Sequence, residues 1–197
     1  MSLAIVYTRA ALGIEAPLIT VEVHLSNGLP GLTMVGLPET TVKEARDRVR
    51  SALINSGYAF PAKKITINLA PADLPKEGGR YDLPIALALL VASEQLNTTR
   101  LNQYEFVGEL ALTGGLRGVP GAIPSAMEAI KAGRRIVVSS DNAAEVGLIG
   151  GSDCLVADHL QEVCAFLAGQ TSLSPPLAEA PARDERYEDL LDVIGQQ

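Results

Sequence analysis

Residues 82–96 restrict the fold of this chain most, because they are apolar on nearly every side of a helix. A helix on a protein surface shows one apolar stripe, whereas a helix that is apolar all round must be enclosed by other elements. Asp82 is predicted to cap this helix, with Pro84 in its first turn. The segment is shorter than the roughly 18 apolar residues of a membrane span. It therefore predicts the central helix of a folded core and no contact with a membrane.

The N-terminal third of the chain is predicted to form strands and one helix. Residues 18–25 alternate between apolar and polar side chains, which is typical of a strand with one buried face. Asn27 and Gly28 give a turn signal, so residues 32–35 are predicted to return beside that strand as a hairpin. A helix is predicted between Pro38 and Gly57. Two further strands are predicted at residues 2–8 and 64–69.

Strands and helices alternate in the second half of the chain. This order favours parallel strands joined by right-handed crossovers. The predicted fold class is mixed α/β, with an antiparallel first half and a parallel βαβ second half. The predicted strands are residues 106–112, 116–119, 135–139 and 154–157, and the predicted helices are residues 123–132, 142–146 and 159–167.

The composition changes near residue 170. Residues 1–169 are predicted to form one domain. Residues 170–182 are rich in serine, proline and alanine, which predicts a linker. Residues 183–197 form a separate acidic segment.

Positive charge is concentrated in one part of an acidic chain. The formal net charge is −7, which disfavours a protein that coats nucleic acid by bulk charge. Residues 41–80 nevertheless hold eight basic and four acidic residues. This stretch predicts either a solvated face or a contact surface for a polyanion such as DNA or for a neighbouring subunit. The candidate contact residues are Lys43, Arg46, Arg50, Lys63, Lys64, Lys76 and Arg80.

Common cofactor and metal motifs are absent from the sequence. Two cysteines and two histidines form no CxxC pair and no Cys/His cluster, so no metal site is predicted and a reduced, cytoplasmic setting is expected. There is no GxxxxGK[ST] and no GxGxxG, so the chain is not expected to bind ATP through a P-loop. Gly78 and Gly79, with Lys76 and Arg80, predict either an anion site at the start of the apolar helix or a purely structural loop.

Two segments resemble Lon-type proteases in the same order, PKEGGRYDLPIALALL and VGELALTGGLRGVPGAIPSAMEAIKAG. The resemblance implies a fold like the Lon proteolytic domain and domain 2 of ribosomal protein S5. Lon-type proteases use a Ser–Lys dyad, in which lysine activates serine. Their serine position falls on Asp82 or Arg80, depending on the alignment, and their lysine position falls on Ser125. The dyad is therefore absent, which favours a non-catalytic domain over an active peptidase. The same broad fold also serves in RNA-binding domains, but the net charge of −7 argues against that alternative.

A closer resemblance covers residues 1–170. The segments VEVHLSNGLPGLTMVGLPETTVKEARDRVRSALINSG and INLAPADLPKEGGRYDLPIALALL are similar to the N-terminal domain of the ComM competence proteins, which are magnesium-chelatase-like AAA+ ATPases. Residues 189–196 resemble the segment that enters their ATPase module, so residues 183–197 are expected to be the start of that module. The resemblance implies an accessory domain of a ring-forming, hexameric motor that acts on DNA during branch migration and recombination of transforming DNA. It places ATP and Mg²⁺ in the ATPase module and none in this chain.

Overall fold

A mixed β-sheet runs through the computed structural model, which describes residues 2–36, 39–149 and 152–176. Seven strands form the sheet and two short strands form a separate hairpin. The strands are β1 (Ser2–Arg9), β2 (Leu18–Ser26), β3 (Gly31–Val35), β4 (Lys64–Ala70), β5 (Tyr104–Phe106), β6 (Glu109–Leu110), β7 (Leu116–Arg117), β8 (Arg135–Ser139) and β9 (Cys154–Ala157). The α-helices are α1 (Glu39–Asn55), α2 (Asp82–Ala92), α3 (Ala122–Lys131), α4 (Ala143–Gly147) and α5 (Leu160–Leu167).

The strand order β3-β4-β2-β1-β5-β8-β9 confirms the mixed α/β class. β2 lies antiparallel to both β1 and β4. β1, β5, β8 and β9 then follow as parallel neighbours. The antiparallel half thus precedes the parallel half, as the sequence predicts.

The predicted hairpin between β2 and β3 is wrong. β3 runs antiparallel to β2, but β4 lies between them and pairs in parallel with β3. The apolar face of β4 is fully buried, whereas Leu32 and Met34 of β3 are only half-buried. The more apolar strand therefore takes the interior position, and the turn at Asn27 and Gly28 leads to an edge strand.

Helices pack on both faces of the sheet. Alternate residues of β8 point to opposite faces, so Val137 joins the core under α1, α2 and α5, whereas Ile136 and Val138 join a second core under α3 and α4. α2 is buried along nearly its whole length, which confirms the central helix. The helix ends at Ala92 instead of residue 96, and Glu94 adopts a left-handed conformation with φ 61°.

The strand predicted at residues 106–112 is interrupted. β5 ends at Phe106, and the Gly108 N–H donates to the Arg80 carbonyl while the Leu83 N–H donates to the Gly108 carbonyl. These bonds direct the chain toward the start of α2. β6 then pairs with β7 across the predicted glycine turn.

One buried carboxylate joins the two halves of the sheet. β1 and β5 share a single register pair, Tyr7 with Glu105. Glu105 has no exposed surface and accepts from Arg9 at 2.6 and 2.7 Å and from Arg134 at 3.0 Å. Arg9 also donates to the carbonyls of Ala16 and Glu128. Two sequence-distant arginines therefore compensate the charge of Glu105.

The predicted linker is described only as far as residue 176. The Val156 N–H donates to the Ser174 carbonyl, so this part of the linker lies along the edge of β9. The predictions for residues 177–197 fall outside the described residues. No helix in the described part of the chain is long and apolar enough to cross a membrane.

Glu105 with Arg9 and Arg134 forms an ion-pair cluster at the centre of the sheet, which we call the clamp. Glu105→Gln tests it. The amide keeps the shape but removes the charge that compensates two largely buried guanidinium groups, so we expect a loss of about 3–5 kcal/mol in the free energy of unfolding. Glu44→Gln is the matched control, because Glu44 is exposed and lies 3.7 Å from Arg48; it should cost less than about 1 kcal/mol. Denaturant unfolding measures both variants, and equal losses would contradict the role assigned to Glu105.

Candidate functional site

Two of the positions aligned with the protease dyad meet in the structure. Arg80 Nη2 donates to Ser125 Oγ at 2.8 Å, and Arg80 Nη1 donates to the Pro120 carbonyl at 3.1 Å. Ser125 Oγ donates to the Gly121 carbonyl, 2.8 Å away. Arg80 is 4% exposed and Ser125 is 0% exposed. Of the two alignments, the one that places the serine position on Arg80 therefore has its two aligned residues in contact.

Arg80 and Ser125 form a cation–hydroxyl pair. In the alignment that the sequence suggests, the cation takes the serine position of a Ser–Lys dyad and the hydroxyl takes its lysine position. Burial lowers the pKa of Arg80, but a guanidinium in a protein stays protonated and cannot accept a proton. Arg80 therefore supplies no base to Ser125, and the pair holds the entry to α2 against α3.

Asp82 has different partners. Its carboxylate accepts from Arg48 at 2.6 and 3.2 Å and from the Leu110 N–H at 3.2 Å. It makes no side-chain cap bond, so the predicted cap is wrong; Tyr81 occupies the N-cap position. Burial raises the pKa of Asp82 to about 6, because the loss of solvent outweighs the bonds from Arg48 and Leu110. The carboxylate in turn raises the pKa of Arg48.

Lys76 and Arg80 are not part of an exposed basic surface. Lys76 is 2% exposed, and its ammonium donates to the carbonyls of Pro71 and Leu74. Burial lowers its pKa. Backbone carbonyls of the loop that precedes α2 thus enclose Lys76, while Arg80 turns toward α3. The structure corrects the expectation that these two side chains face a polyanion.

The cavity beside Gly78 and Gly79 is a poor anion site. It measures about 560 Å³, and its lining includes Arg80 together with Glu77 and Glu109. The Glu109 carboxylate lies against Gly79, where an added Cβ would come within 2.3 Å of Oε2. Carboxylates therefore occupy the surroundings in which an anion would have to bind. This favours the structural interpretation of the loop.

Three predicted contact residues line one groove instead. Arg46 and Arg50 project from α1, and Lys63 projects from the loop before β4. All three side chains are exposed, and the cavity measures about 530 Å³. We call it the basic groove, and its lining comprises Pro30, Gly31, Leu32, Arg46, Asp47, Arg50, Phe60, Pro61, Ala62, Lys63 and Ile65.

An aromatic ring fixes one wall of the basic groove. The Arg50 guanidinium lies over the Phe60 ring, 5.0 Å from its centroid. Arg46 and Asp47 form an exposed pair at 3.3 Å, which is weak in water. The groove therefore carries three cations against one carboxylate. Lys64 follows Lys63 at the start of β4 and is exposed; Lys43 is exposed on α1, one turn before Arg46.

Charge counting finds part of this site and misses the rest. It finds Arg46, Arg50 and Lys63, but it gives no signal for Phe60, which the fold brings against Arg50. Charge counting also gives no signal that Arg48, a further basic residue of α1, reaches the buried Asp82. Within the described ranges, no group of histidine, cysteine, aspartate and glutamate side chains is arranged to hold a metal ion.

Comparison with known proteins gives consistent matches. The family described as subunit ChlI of Mg-chelatase matches residues 21–142. A protein of Salmonella typhimurium named uncharacterized protein YifB is 75% identical over 197 residues. Competence protein ComM of Haemophilus influenzae is 55% identical over 204 aligned residues. Both relatives match over 100% of this chain, which spans 39% of the Salmonella relative and 40% of the Haemophilus relative.

Arg48→Gln tests the coupling between α1 and the start of α2. The folded pKa of Asp82, about 6, exceeds its ordinary value of 3.8. The contribution of Asp82 to stability therefore falls as pH rises from about 4 to about 6. Without Arg48 the pKa rises further, so we expect a loss of about 3 kcal/mol at pH 8, where the carboxylate is charged and unpaired, and a smaller loss at pH 5.

Denaturant unfolding at both pH values measures this effect. Arg46→Gln, an exposed change on the same helix, should alter stability by less than about 0.5 kcal/mol. Adding Asp82→Asn to Arg48→Gln should recover part of the loss at pH 8. A loss that is the same at pH 5 and pH 8 would show that the unpaired carboxylate is not its cause.

Proposed function

Because the chain belongs to the family of subunit ChlI of Mg-chelatase, we propose that it is a non-catalytic accessory domain that contacts DNA for a magnesium-chelatase-like ATPase. The family membership confirms the resemblance that the sequence indicates. The chain corresponds to the N-terminal part of such an ATPase. In this proposal the rest of the protein carries the motor, and this domain supplies a surface that holds the substrate near it.

The observation that carries the proposal is the basic groove. The chain is acidic overall, yet Arg46, Arg50 and Lys63 converge on one cavity from two separate segments. Convergent exposed cations favour a polyanionic partner, because each neutralised phosphate releases counterions. The name of the Haemophilus relative, competence protein, fits a role in handling incoming DNA.

The non-catalytic part of the proposal is supported by the Arg80–Ser125 pair. Ser125 is buried and donates to a backbone carbonyl, and its neighbour is a permanent cation. A Ser–Lys hydrolase needs the opposite, an accessible hydroxyl beside a group that accepts its proton. These contacts suit a scaffold of the Lon-like type better than a peptidase.

ATP and Mg²⁺ belong, in this proposal, to the part of the protein outside this chain. The sequence has no GxxxxGK[ST] motif, and its Gly78–Gly79 segment lies against a carboxylate instead of an open phosphate cradle. The proposal also includes self-association into a hexameric ring, which the motor would drive, and a cytoplasmic location.

Binding of labelled DNA by the intact chain at low salt tests the contact role. We expect Arg46→Glu/Lys63→Glu to abolish most of the affinity measured by fluorescence anisotropy. Losing two phosphate contacts should also reduce the slope of log affinity against log salt by about two.

Arg117→Glu/Lys131→Glu is the matched control, because it makes the same change of charge at two exposed cations outside the basic groove. It should retain near-normal binding. Equal losses of affinity in the two double variants would show that net charge alone determines binding. That result would contradict the basic groove as the DNA site. A structured RNA that binds more tightly than DNA would favour an RNA-binding domain instead.

A further inference from the structure

We propose that the basic groove binds single-stranded DNA, with one unpaired base stacked on the Arg50 guanidinium. The inference rests on the proposed function and specifies which form of DNA the groove takes. It starts from the contact between Arg50 and Phe60, which the charge pattern of the sequence does not predict.

Arg50 is held in place before any ligand binds. Its guanidinium lies 5.0 Å from the centre of the Phe60 ring. Phe60 is half-buried and packs against the main core, so the ring is a fixed support. Arg50 itself is exposed. A planar cation supported on one side by an aromatic ring offers its exposed side for stacking, and unpaired bases stack on such guanidinium planes.

The surroundings of Arg50 fit one nucleotide and its neighbouring phosphates. The cavity measures about 530 Å³ and contains Pro30 and Pro61 as apolar lining. Arg46 and Lys63 lie on two different segments that border the same cavity. A strand that crosses the groove can therefore place its backbone near these cations while a base contacts Arg50. This combination of a basic groove with a stacking platform is typical of proteins that bind single strands.

A duplex cannot use the groove in this way. Its bases are already stacked on one another and paired, so a base reaches Arg50 only after unpairing, which costs a few kcal/mol. A duplex would therefore contact Arg46 and Lys63 through phosphates alone. An acidic peptide supplies carboxylates for the same cations but has no base to stack. The proposed arrangement therefore predicts that the groove binds a single strand more tightly than it binds a duplex or an acidic peptide.

Arg50→Lys separates stacking from charge, because it keeps the cation and removes the planar guanidinium. We expect it to weaken binding of an oligothymidylate by about fivefold to tenfold and to leave binding of a blunt duplex unchanged. The salt slope for the single strand should stay the same. Arg117→Lys is the matched control, because Arg117 is an exposed arginine outside the basic groove, and it should have little effect.

Three further measurements test the same arrangement. A 2-aminopurine base placed in the single strand should change its fluorescence when the unmodified chain binds, because the base leaves its neighbouring bases, and should change less with Arg50→Lys. Phe60→Leu should weaken single-strand binding in the same way, with denaturant unfolding showing that the variant is folded. An acidic peptide should compete only at much higher concentration.

The outcomes separate this inference from the proposed function. Equal effects of Arg50→Lys and Arg117→Lys, or equal affinity for single strand and duplex, would overturn the stacking site while leaving the DNA contact intact. Efficient competition by the acidic peptide would show that the groove binds polyanions in general, and it would likewise overturn the stacking site. Failure of the unmodified chain to bind any DNA would overturn the proposed function itself.

Discussion

The structure depends on the buried carboxylate of Glu105, which sits where the antiparallel and parallel halves of the sheet meet. Strand pairing between β1 and β5 is limited to one register pair. Arg9 from β1 and Arg134 from the segment before β8 both donate to Glu105. A buried charge of this kind is stable only when its partners surround it. The clamp therefore sets how the two halves lie relative to each other.

The clamp also positions the helix that carries Ser125. Arg9 donates to the Glu128 carbonyl near the end of α3, and Arg134 lies over the Tyr7 ring at 4.5 Å. α3 is thereby tied to β1, and Arg80 then reaches Ser125 from the other side. Arg80 bonds there to the Pro120 carbonyl and the Ser125 hydroxyl. These bonds stabilise the contact between the start of α2 and α3.

A second buried carboxylate links this core to the basic groove. Arg48 and Arg50 lie two residues apart on α1, so their side chains leave the helix on different sides. Arg48 reaches inward to Asp82 at the start of α2, while Arg50 lies over Phe60 at the groove. The groove is thus mounted on a helix that an ion pair fixes to the central helix. A rigid support of this kind suits a surface that must hold a ligand in a defined place.

Much of the fold is readable from local patterns, because alternation marks β2 and β4, short apolar runs mark β8 and β9, and uniform apolarity marks α2. The main errors concern partners distant in sequence. The turn at Asn27 and Gly28 cannot reveal that β4 will enter between β2 and β3. The position of Asp82 favours a cap, but Arg48 and the Leu110 N–H compete for its carboxylate. Lys76 and Arg80 look like surface cations until the loop before α2 encloses them.

The most direct test of the account is nuclear magnetic resonance of the ¹⁵N-labelled chain during titration with a single-stranded oligonucleotide. We expect the oligonucleotide to shift the Nε–H signals of Arg46 and Arg50 and the backbone amide signals of residues 60–63. The Nε–H signals of Arg100 and Arg117 should stay in place. Shifts concentrated at Arg80 and residues 118–121, or no shifts at all, would contradict it.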